Sequence, residues 1–374
     1  MSGEHEPSVV LDLSRRKAAT AVRNSLVEAR HVAAPYLTMT RIALARLGRD
    51  RLARAGALVL ACLTLVAVFA DLLASDRPVA CRWHGTLYVL PDVTHPPSLA
   101  DVDMARMRRE RASGDWVVPP LVAHGPTEPG DPSDVLLSPL TDGHPLGTDS
   151  SGRDLFARVV HGARTALGLG LLASLVLVAI GVTLGGLAGF AGGVVDSLVA
   201  RVVESFTAIP TLVLVLVVGA LVPHPTTGTL LWTIALTRWT ELARLVRAEV
   251  LRGLGEDYVT AARALGASPA RVLVRHVMPN AIGPAIVAAA FGVASVVLLE
   301  AAVDFLRVGS PDAMPSWGEA MGEARMYVGA WWLVVFPGVA LLSTLVSLHL
   351  VGEAARDALD PKLREASLEL GGGS

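Results

Sequence analysis

Residues 166–190 run for twenty-five positions without a charged side chain. Crossing a bilayer core takes about 20 mostly apolar residues of helix. Inside lipid, backbone N–H and C=O groups have only each other as partners, so helix is the structure left to such a run. Apolar stretches at 56–73, 206–222, 228–236, 281–299 and 328–351 share its character. The expected fold is therefore an all-α integral membrane protein of six transmembrane helices. Composition agrees: charged residues are 18% of the chain, where soluble domains carry about a quarter. A net charge of −2 argues against a nucleic-acid partner, which calls for a basic surface.

The polar segments set the orientation. Residues 1–54 carry Arg15, Arg16, Lys17, Arg23, Arg30, Arg41, Arg46, Arg49, Arg51 and Arg54, a bias that places the N-terminus in the cytoplasm. This segment reaches its apolar run too late for a cleavable signal peptide. Residues 26–47 read either as an amphipathic helix on the inner leaflet or as a partly ordered tail. The first span occupies 55–73. Residues 74–164 then hold 11 of the 23 prolines and are expected outside, as a small extracytoplasmic insert. Within it, 83–90 alternates as a hairpin arm would, and 101–112 suits a short helix with Ser98 near its start. Cys62 lies in an apolar run and Cys81 in a polar one, so no disulfide or cysteine-based metal site is expected.

The core, 165–361, is interrupted by one polar island, EDYVTAARALGASPARVLVRHVMPN at 256–280. Tyr258, Ala261, Ala262 and Leu265 recur at helical spacing. Gly266 stands where a helix C-terminus wants positive φ, and Ser268–Pro269 supplies a cap and a first-turn proline. The second helix carries Arg271 and Arg275 on one face and is expected to end before Pro279. Gly181 and Gly185 give a small-xxx-small spacing for close helix packing. Asp196, Arg201 and Glu204 read as an inside turn. The tail at 362–374 ends in GGGS, which looks like a linker scar.

Two motifs in this order carry a resemblance. The AAxxxG pattern at 261–266 with Met278–Pro279, and HPLGTDSSGRD at 144–154, resemble bacterial ABC-importer permeases of the dipeptide, oligopeptide and nickel branch. The likeness covers roughly 144–361, and a long first outer loop suggests the oligopeptide subgroup. Thr260 departs from it, standing where the loop's glutamate is usual. The resemblance implies the type I importer-permease fold and a place in the bacterial cytoplasmic (inner) membrane, multi-pass, with N- and C-termini cytoplasmic. It implies a coupling loop formed by Glu256, Asp257, Tyr258, Ala261, Ala262, Leu265, Gly266, Arg271, Arg275 and Pro279. It also implies an outer elbow motif of Gly147, Thr148, Asp149, Gly152, Arg153 and Asp154, read either as a contact for a delivery protein or as a clamp of paired Asp and Arg. Implied partners are a second permease subunit, one or two ATPase subunits, an extracytoplasmic solute-binding protein and the lipid bilayer.

The chain has no GxxxxGK[ST], no HExxH and no GxSxG, so it is expected to be non-catalytic, with no cofactor or metal of its own. ATP and Mg would then bind in the partner ATPase subunits. Arg238 and Glu241 are placed for a mutual ion pair, either snorkelling where the fourth helix leaves the membrane early or lining an inner pathway mouth. Glu300 and Asp304 either line the outer path or join Arg307 in an interfacial salt-bridge cluster. Short peptides are the expected cargo and nickel chelates the alternative. Nickel favours imidazole, whereas the expected spans are essentially free of histidine, with His84, His95, His124 and His144 scattered outside. A membrane-anchored sensor or scaffold is the alternative from another class.

Overall fold

The computed structural model describes residues 50–99, 102, 104–110, 114–141, 143–307 and 314–359. The readings for 26–47 and for the GGGS end lie outside these residues. Helix α1, Arg51–Val68, starts where the Asp50 carboxylate accepts the Leu52 N–H at 2.9 Å. Phe69 breaks it, and α2, Ala70–Leu73, carries Asp71.

The described residues between 80 and 118 build a small sheet. Strands β1 (Ala80–Trp83) and β2 (Thr86–Val89) form a hairpin. Its turn residues His84 and Gly85 both have positive φ, 49° and 80°, as a twist-matched two-residue turn requires. After α3 (Pro91–Thr94) and α4 (Met104–Arg109) comes β3, Trp116–Val118, which pairs with the free edge of β1. Sheet order is β2-β1-β3. Cys81, Trp83, Leu99 and Met107 bury one sheet face. The expected helix at 101–112 is thus narrower, and Ser98 bonds the Tyr88 hydroxyl at 2.9 Å instead of capping it.

Among the described residues four helices have the length and apolarity to cross a membrane: 51–68, 155–191, 269–306 and 332–357. Length and apolarity thus account for four of the six expected spans. Helix α5 is Leu155–Ala191, 37 residues, or about 56 Å at 1.5 Å per residue. The elbow does not form a separate interfacial helix, because Asp154 caps a helix that runs on unbroken. Asp196, Arg201 and Glu204 sit on α6, Gly193–Thr207, and not in a turn. The third span shrinks to α7, Thr211–Leu221, bent 76° from α6. Pro210 lies in that break, where its missing N–H is harmless at a helix start. The pair makes a fifth span if counted as one.

Helix α8, Thr227–Leu254, continues for 28 residues straight through Arg238 and Glu241. It fits beside α5 because Gly181, Gly185 and Gly189 form a seam. A Cβ on Gly185 would stand 2.4 Å from the Ala243 carbonyl oxygen, and one on Gly181 would meet the Leu242 Cβ at 2.9 Å. Packing, not homodimerisation, is what the small-residue spacing serves. Beyond α9 (Asp257–Ala264) and α10 (Pro269–Arg271) the chain passes through a π-helical segment, Val272–Val277, into α11, Met278–Leu306. Helix α12 is Trp317–Glu323, and α13, Trp332–Leu359, extends past the expected end of the sixth span. His161 and His349 lie on α5 and α13, so the long helices are not free of histidine.

Two predictions follow from the packing. Gly185→Val is expected to abolish accumulation of folded protein, whereas Gly168→Ala, with open space around the site, leaves it unchanged; detergent-solubilised monodisperse yield distinguishes them. Burial pushes the Cys81 thiol above its ordinary value, and Asp115 adds to the shift, since both disfavour the thiolate. At pH 8.5, where a free thiol is about half ionised, folded protein should leave Cys81 unalkylated, with labelling appearing only after denaturation or at higher pH.

Candidate functional site

The coupling-loop residues gather at the junction of α8, α9 and α11. Leu265 is the C-cap of α9, and Gly266 after it has φ +82°. The Ala267 N–H donates to the Ala262 carbonyl at 3.0 Å, closing the helix end around that left-handed glycine. Val259 is the buried anchor of the loop. Tyr258 receives a hydrogen bond from Asn280 at 3.0 Å, fixing α9 to the first turn of α11. Two apolar side chains stand out on the outward side: Leu265 is 89% exposed and Val274 69%. Glu256, Asp257, Ala261, Arg271 and Arg275 are exposed beside them, and Ala262 is half-buried.

The expected helix end before Pro279 is corrected. The Met278 N–H donates to Leu273 O, five residues back, the bonding of a π turn. Pro279 follows in the first turn of α11, where a missing donor is tolerated. The loop is therefore continuous with a 38-residue helical stretch, 269–306.

The elbow motif lies at the other end of the bundle. Gly147 and Gly152 take φ of +83° and +73°. Between them Asp149 collects the Ser151 and Arg153 N–H groups at 2.8 and 3.0 Å and the guanidinium of Arg153 at 2.6 Å. Arg158 also binds it. Asp154 caps α5 through the Ala157 N–H and holds His144 Nδ1, both at 2.8 Å. Thr148 O accepts from Trp332 Nε1 at 3.0 Å.

Sequence reading missed the other half of this cluster. Glu319 and Glu323, four apart on α12, face Arg153, Arg158 and Arg307. Arg158 meets Glu319 at 2.8 Å and Glu323 at 3.0 Å, and Arg307 meets Glu323 at 2.9 Å. Three guanidinium groups and three carboxylates thus balance in a buried knot, with Arg158 only 1% exposed. The i, i+4 spacing of two glutamates beside the PSWG turn was the available signal.

Of the four pathway candidates, Arg238 and Glu241 pair at 3.3 Å and border a small cavity of about 90 Å³ with Leu177, Ala288 and Gly292. Glu300 and Asp304 are buried, and Ser316 donates to Glu300 at 3.0 Å. Arg307, three residues beyond Asp304, reaches Glu323 of α12 at 2.9 Å. Among the described residues no group of histidine, cysteine and carboxylate side chains is placed to hold a metal ion.

Long apolar helices packed through glycines, with an exposed loop at one end of the bundle, define a multi-pass helical membrane protein. Residues 181–365 match the family model described as the binding-protein-dependent transport system inner membrane component, and residues 38–84 match the N-terminal TM domain of oligopeptide transport permease C. The chain belongs to this family of ABC-importer permeases. Among its relatives is the dipeptide transport system permease protein DppC of Alkalihalophilus pseudofirmus, 34% identical over 246 residues, which are 66% of this chain and 80% of that protein. The di/tripeptide transport system permease protein DppC of Pseudomonas aeruginosa is 38% identical over 250 residues, 64% and 82% of the two chains. The oligopeptide transport system permease protein OppC of Bacillus subtilis is 34% identical over 228 residues, 61% and 74% of the two.

The charge knot makes a direct prediction. Arg158→Ala leaves three carboxylates facing two arginines in a buried site, a loss of about 3–5 kcal/mol. The purified variant should melt well below the parent, with Arg158→Lys in between, in a detergent thermal-shift measurement.

Proposed function

We propose that this chain forms half of a translocation pathway for short peptides and is driven by separate ATPase subunits that grip the 256–280 loop. The observation that carries the reading is the loop itself: an apolar, 89%-exposed Leu265 beside a left-handed glycine, on a support continuous with a membrane helix. An apolar side chain held out on an ordered turn suits a protein partner. Ala261, Ala262 and Leu265 would enter a groove on the ATPase, and Arg271 and Arg275 would meet its acidic groups. ATP and Mg would bind in that partner, not here. Motion of the groove would then move α9 and the 269–306 stretch as a rigid body, tilting the helices to which they are fused.

The relatives named for dipeptide, di/tripeptide and oligopeptide transport support peptide over nickel-chelate cargo. The assembly would include a second permease subunit and an extracytoplasmic solute-binding protein that meets the elbow side. It would sit in the bacterial cytoplasmic membrane with both termini inside. Arg238 and Glu241, beside their small cavity, are the residues best placed to line the path; Glu300 and Asp304 would reach it only if α12 moved.

Mild-detergent purification of the chain from its native membrane, with mass spectrometry of what accompanies it, tests the assembly. A P-loop ATPase and a second permease should be recovered. The chain alone would instead fit a membrane-anchored sensor. Ala262→Glu should remove the ATPase from the purification. Gly266→Val meets no neighbouring atom, but a β-branched residue resists positive φ. It should therefore abolish ATP-driven peptide uptake in proteoliposomes while membrane insertion stays at the parent level.

A further inference from the structure

The two faces of the insert's sheet have opposite surroundings. Cys81 and Trp83 point into the buried cluster with Met107 of α4. Across the register, Ala80 stands opposite Val89 and Val118, and Arg82 opposite Leu87 and Trp116, so these six share the other face. On it Leu87 is 60% exposed, Val89 57%, Val118 46% and Trp116 38%. Such an apolar patch marks an interaction surface. Arg82 is the only charged residue of this face, and its guanidinium has no hydrogen-bond or ion-pair partner among the described residues.

Backbone bonds limit how far this sheet can stand from the first membrane helix. The Val122 N–H donates to Leu73 O at 2.9 Å and the Leu121 N–H to Leu72 O at 3.3 Å, at the outer end of the first membrane helix. β3 ends four residues before Val122, so Val118 lies within about 14 Å of that residue. β1 begins seven residues after Leu73, within about 25 Å. The headgroup layer extends roughly 5–8 Å beyond the hydrocarbon on each side. Exposed Val68 and Phe69 at the helix end, and Leu121 beside them, extend the apolar surface of the span towards β3. Aliphatic residues with a tryptophan and an arginine are the composition that settles at this boundary.

We propose that the sheet face formed by Leu87, Val89, Trp116 and Val118 around Arg82 docks on the outer leaflet of the bilayer. The apolar side chains sit at the headgroup–acyl boundary, and the Arg82 guanidinium pairs with a lipid phosphate. The insert is thereby held flat against the membrane and is not a free-standing receptor for a soluble protein.

The test uses the intact transporter in nanodiscs of phosphatidylethanolamine and phosphatidylglycerol, in a Cys62→Ala background. A nitroxide is attached at Leu87→Cys, at Val89→Cys, or at Arg106→Cys on α4, which covers the opposite face. Power-saturation measurements compare collisions with oxygen, which concentrates in lipid, and with a water-soluble nickel chelate. Oxygen should dominate at 87 and 89, and the nickel chelate at 106. Preference for the nickel chelate at 87 and 89 would place the face in water and overturn the proposal. Shielding from both reagents would mean that a protein covers it, and overturns the proposal equally.

Discussion

Everything at the loop end of the bundle depends on how closely α8 approaches α5. Lipid offers no hydrophobic drive for one apolar helix to join another, so association rests on packing and on polar contacts made at short range. The Gly181–Gly185–Gly189 seam brings the backbone of α5 against the carbonyls of Ala243 and Arg247. That contact seats α8 although it carries Arg238, Glu241, Arg244 and Arg247. Arg247 also closes on Asp196 of α6 at 2.6 Å. Because α8 leads directly into α9, the position of the exposed loop is inherited from this seam.

The elbow end is organised by charge instead. Asp149, Arg153, Arg158, Arg307, Glu319 and Glu323 come from three parts of the chain, and each alone would be costly where Arg158 lies. Joined, they fasten the elbow to α12, while the indole of Trp317 donates to Val159 O at 2.8 Å. A flexible glycine turn at 147–152 is held rigid by groups more than 150 residues away.

Local chemistry was legible in the sequence; long-range partnership was not. Gly266 could be placed in the left-handed region because it follows a helical stripe, and 83–90 could be seen as a hairpin because its side chains alternate. The same local view failed at Pro279, since proline reads as a stop unless the turn before it has already changed its hydrogen-bond pattern. It failed for Asp196, Arg201 and Glu204, whose charges suggested a turn but occupy the polar side of a helix. Glu319 and Glu323 stayed invisible as partners of Asp149 and the arginines because nothing near them in the sequence states the pairing.

The π-helical segment at 272–277 has a consequence for how the loop faces its surroundings. A π turn holds one more residue than an α turn. Removing that residue would let the segment relax to α geometry and rotate everything before it by roughly 100° about the helix axis. Leu265 and the arginines would then point elsewhere with every side chain intact. The direction in which this surface looks is thus a matter of residue count, a phase set between membrane helix and loop.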